Sequence, residues 1–252
     1  MRLKDKTVIV TGGASGFGEG MIRRFAAEGA NTVIADINDK AGEALAREVS
    51  GTGTPCIYTH CDVTDSGYIQ NLVDSTVEQF KTIDVMVNNA GMPQTNQPML
   101  DVDEDTFQRI FDVNVKSIFL STKAVVPVMR AQGSGSIINT ASTAALRPRP
   151  GLVWYNASKG AVTTMTKAMA VELAPDQIRV NALCPVAGET PMLGAFMGGE
   201  ITNEMRAAFV ASVPMGRLST PLDMANAALF FASDESSFIT GVCMEVDGGR
   251  CI

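Results

Sequence analysis

The chain predicts an α/β fold, a doubly wound parallel sheet with helices on both faces. Three observations carry this. Short, continuously apolar, β-branched runs recur along the chain; longer segments of helical spacing or composition separate them; and a glycine-rich turn follows the first run directly. Continuous apolar strands indicate a sheet covered on both faces. Strand and helix in alternation then give parallel order.

The strand runs are "TVIVT" (7–11), "TVIAD" (32–36), "IDVMVNNAG" (83–91), "GSIINTAS" (135–142) and "IRVNALCP" (178–185), with a third strand beside His60. Between them "GEGMIRRFAAEG", "DKAGEALAREVS", "SGYIQNLVDSTVEQF", "EDTFQRIFDVNVKSIFLSTKAVVPVMRAQG" and "YNASKGAVTTMTKAMAVELA" predict helices, several with acidic or serine starts. No repeat interrupts the order, and no linker is long enough to separate one domain from another, so 1–252 is expected to be one domain. The exception to the alternation is 186–221, rich in methionine and glycine with two short helices. Long insertions of this kind are functional lids or mobile loops.

Composition narrows the function. Of 252 residues 20 are basic and 27 acidic, without a basic block to follow a phosphate backbone, so nucleic acid is not an expected partner. Five cysteines, an odd set without a C-x-x-C pair, suggest neither a disulfide framework nor a zinc site and fit a reducing cytoplasm. No metal is expected. No signal-peptide pattern opens the chain, and no apolar run reaches the roughly 20 residues that span a bilayer. His60, the lone histidine, has no nucleophile motif around it and is expected to be structural.

The turn "TGGASGFGEG" lets backbone approach a pyrophosphate at a helix N-terminus. Gly12, Gly16 and Gly18 space as G-x-x-x-G-x-G. With Thr11 they match T-G-x-x-x-G-x-G, and in order along the chain follow "CDVT" (Asp62, Val63), "NNAG" (Asn88 to Gly91), Asn114 in "DVNV", Ser142 in "NTAS" and Y-x-x-x-K at Tyr155 and Lys159. In this set the chain resembles the short-chain dehydrogenase/reductase family, of its NAD-dependent type, along nearly all its length. The resemblance implies a single Rossmann domain of about seven strands, the last in "SSFITGVCMEVDGGRCI".

The cofactor contacts it implies are Gly12, Ser15, Gly16, Phe17 and Gly18 of the turn; Asp36 and Ile37; Asp62 and Val63 at the adenine; Asn89, Ala90 and Gly91 under the ribose; Tyr155 and Lys159; and Pro185, Gly188, Thr190 and Met192 near the nicotinamide. Asp36 follows Gly12 by 24 residues, near the roughly 20-residue spacing at which a carboxylate takes the ribose 2′-OH. It would repel a 2′-phosphate, and Ser15, Ile37 and Asn38 offer no cation for one, so NAD(H) is expected. Asp36 could instead only cap the strand or the next helix.

A phenol titrates near 10, so Tyr155 needs help to exchange protons at neutral pH. Lys159, one helical turn on, shares its face and is expected to favour phenolate. By the resemblance Ser142 positions the substrate oxygen, and Asn114 holds a water that links Lys159 to solvent. Ser142 could equally cap the next segment, and Asn114 brace a helix.

After the sixth strand the family commonly reads N-P-G-x-[IV]-x-T, whereas this chain has "CPVAGET", with Cys184, Val186 and Gly188 as departures. The backbone path at Val186 is therefore open, and Thr190 can still hold the carboxamide. Ala144, Arg149, Trp154, Val186 and Phe196 are expected to line the substrate pocket, with Thr143, Leu146, Arg147, Leu152, Leu193 and Met197 nearby. Arg147 or Arg149 could bind a carboxylate or phosphate, or be solvated loop residues.

The expected function is NAD(H)-dependent interconversion of a secondary alcohol and its ketone, with Tyr155 as acid/base. A 3-oxoacyl thioester reductase and a non-catalytic NAD(H)-binding module are the alternatives. The resemblance implies a homotetramer, with 103–131 and 154–173 as the interface helices and Arg250, Cys251 and Ile252 reaching a neighbour's pocket.

Overall fold

The computed structural model describes residues 1–196 and 202–252. Seven parallel strands form one sheet in the order β3-β2-β1-β4-β5-β6-β7. They are β1 Thr7–Thr11, β2 Asn31–Asp36, β3 Cys56–His60, β4 Val85–Asn88, β5 Gly135–Thr140, β6 Ile178–Pro185 and β7 Cys243–Val246. The chain winds outward from β1 to β3, returns to β4 beside β1, and winds out the other way. Between β1 and β4 the connections leave in opposite directions, opening a crevice at the carboxyl ends of the strands.

The expected alternation holds, with strand ends trimmed: the fourth run is strand only over Val85–Asn88, because Asn89 to Gly91 leave the sheet as a loop. Successive side chains feed opposite layers. Val8 and Val10 of β1 pack with α1 (Gly16–Ala27), α2 (Asp39–Ser50) and α9 (Pro221–Ala232), around Phe25, Leu229 and Phe231. Ile9 packs on the other face with α3 (Ser66–Phe80), α5 (Ser117–Gln132) and the end of α6 (Val153–Leu173).

Side chains fix several helix starts. Asn38 caps α2, Asp65 caps α3, and Thr220 with Asp223 forms a reciprocal capping box on α9. The segment expected as one long helix is α4 (Glu104–Phe111), a π turn over Asp112–Lys116, and α5 in succession. A π turn inserts an extra residue per turn and commonly marks a functional site; here it carries Asn114. Region 186–221 holds the two short helices expected, α7 (Leu193–Phe196) and α8 (Asn203–Ala211). No helix among the described residues is long and apolar enough to cross a membrane.

Candidate active site

At the crevice lies a cavity of about 600 Å³ that runs from Asp36 to Tyr155. Its first wall is the glycine turn. Gly12 has φ +61°, and a Cβ there would lie 2.9 Å from Ala90 Cα, so a side chain would both strain the turn and strike the β4 loop. Asn89 holds the two together by donating from Nδ2 to the carbonyls of Thr11 (3.0 Å) and Gly12 (3.1 Å). Ser15 occupies the N-cap of α1, yet its side chain makes no capping bond. The first N–H groups of α1 therefore remain for an anion at the cavity.

Asp36 ends β2 with both carboxylate oxygens anchored, one accepting from Ala14 N and the other from Asn38 N, each at 3.0 Å. It is not the cap of α2, a place taken by Asn38. Each oxygen retains acceptor capacity toward the cavity, which suits vicinal ribose hydroxyls. Ile37, Asp62, Val63, Ala90 and Gly91 line the same end. Gly18 does not line the cavity. It sits under the turn, where a Cβ would fall 2.1 Å from the Gly12 carbonyl oxygen, so its smallness serves the packing of α1 on β1.

At the far end, Ser142, Tyr155 and Lys159 come together from β5 and α6. Lys159 is 4% exposed, and its ammonium donates to the Thr140 carbonyl at 2.8 Å while lying 5.9 Å from the Tyr155 ring centroid. Burial lowers its pKa to about 8. Ser142 accepts from Ala144 N at 3.1 Å, capping the next turn, and keeps its hydroxyl proton to donate. Capping and a place in the cavity thus coexist in one residue.

The expectation that Lys159 favours phenolate meets an opposing effect here. Burial pushes the Tyr155 phenol up to about 12, and the opposing influences are the Ser142 hydroxyl and the charge of Arg149. Desolvation of the phenol is the largest of these effects and dominates in the chain by itself. Asn114 is also differently placed. Its Oδ1 accepts from Met92 N (2.8 Å), and its Nδ2 donates to Met92 O (3.0 Å) and Ser158 Oγ (3.1 Å). Both amide protons are used, so the side chain ties the π turn, the β4 loop and α6 together just behind Lys159 and does not face the cavity.

Trp154 is a second correction. Its ring meets Phe107 edge-on (centroids 5.4 Å apart, planes at 89°), its Nε1 donates to Met99 O, and it does not line the cavity. Leu146 is exposed and also lies off the lining. Thr143, Ala144, Arg147, Arg149, Leu152, Val186, Leu193 and Phe196 do line it; Met197 lies outside the described residues.

The "CPVAGET" departure is absorbed locally. β6 runs through Cys184 and Pro185, and Val186 stays at the strand edge, its carbonyl accepting from Ser219 Oγ at 3.2 Å. The glycine is needed two residues later: a Cβ on Gly188 would lie 2.4 Å from Phe17 Cζ and 2.7 Å from Ser219 Oγ. Phe17, Gly188, Thr190 and Met192 thereby close the cavity between the glycine turn and α7. Cys184 is fully buried, and burial pushes its thiol up to about 12, so it is no nucleophile.

Gln94 is unforeseen by the sequence reading. It is 0% exposed. Its Oε1 accepts from the first-turn N–H groups of Trp154 (3.1 Å) and Tyr155 (3.0 Å), and its Nε2 donates to Gly151 O (3.1 Å). The helix that carries Tyr155 has no cap of its own at Leu152; Gln94, sixty-one residues before Tyr155, supplies it. Phe209 also lines the cavity unannounced, and Arg250, which the resemblance sent to a neighbour's pocket, lines the cavity of its own chain. Among the described residues no group of three or more His, Cys, Asp or Glu could hold a metal.

A Gly-lined helix N-terminus, a carboxylate at the end of β2 and a Ser-Tyr-Lys cluster share one cavity, the arrangement expected of a nicotinamide-type dehydrogenase. A family model described as enoyl-(acyl carrier protein) reductase matches residues 12–250. The chain is 43% identical over 252 residues, all of both chains, to 4-formylbenzenesulfonate dehydrogenase TsaC1/TsaC2 of Comamonas testosteroni. It is 38% identical over 248 residues, 98% of each chain, to cyclopentanol dehydrogenase of Comamonas sp. (strain NCIMB 9872). A solved structure of 3-ketoacyl-(acyl-carrier-protein) reductase from Brucella melitensis complexed with NADH superposes with a TM-score of 0.93 at 43% identity, covering 99% of this chain and 100% of that one. The chain belongs to the short-chain dehydrogenase/reductase family.

Proposed function

We propose that the protein is an NAD(H)-dependent oxidoreductase that interconverts a secondary alcohol and its ketone, with residues 1–252 as one cofactor-binding domain and 186–221 as its lid. The observation that carries this is the single cavity joining Asp36 and the glycine turn to Tyr155, Ser142 and Lys159. The residues present fit NAD(H): the α1 N-terminus takes the pyrophosphate, Asp36 the adenosine ribose, and Thr190 and Pro185 the carboxamide end. When bound, the nicotinamide supplies or accepts the hydride at the carbinol carbon. Ser142 donates to the substrate oxygen and so orients it. Tyr155 takes the hydroxyl proton in oxidation and returns it in reduction. Lys159, fixed by Thr140 O, has N–H groups left for the nicotinamide ribose and places positive charge beside the phenol. Asn114 and Gln94 hold the two ends of this constellation in register.

The Comamonas relatives, named for a carbocyclic alcohol and an aryl aldehyde, support carbon–oxygen redox chemistry. A 3-oxoacyl thioester reductase remains the second reading, favoured by the NADH-bound Brucella neighbour. The exposed Phe119 on α5 and Val171 on α6 support a homotetramer packed through these helices, and exposed Phe238 and Ile252 support a contact at the β7 edge. A cytoplasmic location fits the five free cysteines.

Incubation of purified protein with NAD⁺ and a panel of secondary alcohols should form NADH with at least one of them. Turnover of acetoacetyl thioesters alone would favour the second reading. Tight NADH binding without turnover of any carbinol, ketone or thioester would favour a non-catalytic module.

A further inference from the structure

Around the Tyr155 phenol the cavity wall is apolar, made by Ala144, Leu152, Phe196 and Phe209, yet among the described residues every charge lining this end is positive: Lys159, Arg147, Arg149 and Arg250. The acidic lining residues, Asp36 and Asp62, belong to the opposite end, beside β2 and β3. In a chain of net charge −7 this segregation runs against the background. Other arginines near the lid are neutralised, Arg206 by Glu189 and Arg217 by Asp223. Arg149 is not. Its guanidinium is half-buried 5.1 Å from the centroid of the Phe209 ring, and no carboxylate among the described residues supports its charge, which burial and then Arg250 disfavour. A guanidinium withdrawn from water without an acceptor is held at a cost that an incoming anion would relieve.

We infer that this end of the cavity is an anion subsite: Arg149, flanked by Arg250 and Arg147, takes a carboxylate or sulfonate that the substrate carries on an aryl or short apolar spacer, while its carbinol meets Tyr155. This rests on the alcohol-oxidising function proposed above. Arg149 and Tyr155 line the same cavity of about 600 Å³, so one small molecule can meet both. Phe196, edge-on to Tyr155 at 5.0 Å, and Phe209 supply faces for the spacer. Arg147 donates to the Arg250 carbonyl at 2.6 Å and so holds the C-terminal segment at this rim. A planar guanidinium matches carboxylate and sulfonate oxygens in bidentate fashion.

The test compares 4-(1-hydroxyethyl)benzoate and 4-(1-hydroxyethyl)benzenesulfonate with neutral 1-phenylethanol under saturating NAD⁺. The anionic carbinols should exceed the neutral one in kcat/KM by roughly 10- to 100-fold, chiefly through KM. Arg149→Gln should bring that ratio toward one, and Arg149→Lys should restore some of it. A ratio near one in the unaltered protein, which needs no variant to fold, would overturn the subsite and leave the oxidoreductase function standing. An undiminished ratio in a folded Arg149→Gln protein would overturn the assignment to Arg149. If no carbinol turns over, the proposed function fails. Calorimetric binding of benzenesulfonate to the NADH-saturated protein, expected to be lost in Arg149→Gln, then decides the subsite by itself.

Discussion

Replacing Gln94 by Leu keeps the side chain's bulk and removes all its polar atoms. The N–H groups of Trp154 and Tyr155 then lose their partner at a fully buried position, while the carbonyl of Gly151 keeps the N–H of Gln97 at 3.1 Å. Each buried backbone group left without a bond costs about 1–3 kcal/mol. Relaxation toward the neighbouring cavity relieves some of this, so the net loss is roughly 3 kcal/mol, or a fall in Tm of roughly 6–12 °C for a chain of this length. Because Tyr155 lies in the affected turn, kcat should fall well beyond any change in NADH affinity, whose determinants at Asp36 and the glycine turn are remote from Gln94. Gln94→Glu keeps the acceptor that faces both N–H groups and places negative charge at a helix N-terminus, which is favourable; it should recover most of kcat. Thermal melts, steady-state kinetics and NADH titration of the three proteins give the answer. Unaltered Tm and kcat in Gln94→Leu would refute the capping role, and a Glu variant no better than Leu would refute its acceptor as the cause.

Two further outcomes are expected. Burial lowers Lys159 from its ordinary 10.5 to about 8, so between these values the unfolded chain binds the proton more than the folded one and stability rises with pH across that window. Lys159→Met should therefore be inactive yet more stable than the parent at pH 7, by on the order of 2 kcal/mol once the lost bond to Thr140 is counted, and denaturant melts should show the gap closing toward pH 10; a less stable variant at pH 7 would contradict this. Asp36→Asn removes the charge that repels a 2′-phosphate, and should lower the preference for NAD⁺ over NADP⁺ in kcat/KM by roughly tenfold or more; an unchanged preference would place cofactor selection elsewhere.

What could be read in advance was what local spacing encodes. Thr11 to Gly18, Asp36 and the Tyr155–Lys159 pair each sit at a strand end or on one helix turn, so their chemistry shows in the sequence and the fold only brings them together. Trp154 misled because adjacency in sequence is not adjacency in space: on a helix it points about 100° away from Tyr155 and meets Phe107 instead. Gln94 was silent for the converse reason, since its partners lie some sixty residues away and nothing in "GMPQTNQP" announces a helix cap. The π turn at Asn114 breaks a helical period by one residue, too little to read from composition. The shift of the needed glycine from 186 to 188 became intelligible only through Phe17 and Ser219 packed against it. The rise of the phenol depends on burial, which no spacing reveals.

The central claim is that Tyr155 moves the proton in a carbinol oxidation driven by NAD⁺. Its most direct test is Tyr155→Phe, which removes one oxygen from a buried ring and leaves the glycine turn, Asp36 and the Lys159–Thr140 bond untouched. Single-turnover NADH formation with the best carbinol of the panel should fall by roughly 100-fold or more, while NADH titrates into the variant with near-parental affinity. Parental turnover in Tyr155→Phe would contradict the claim outright.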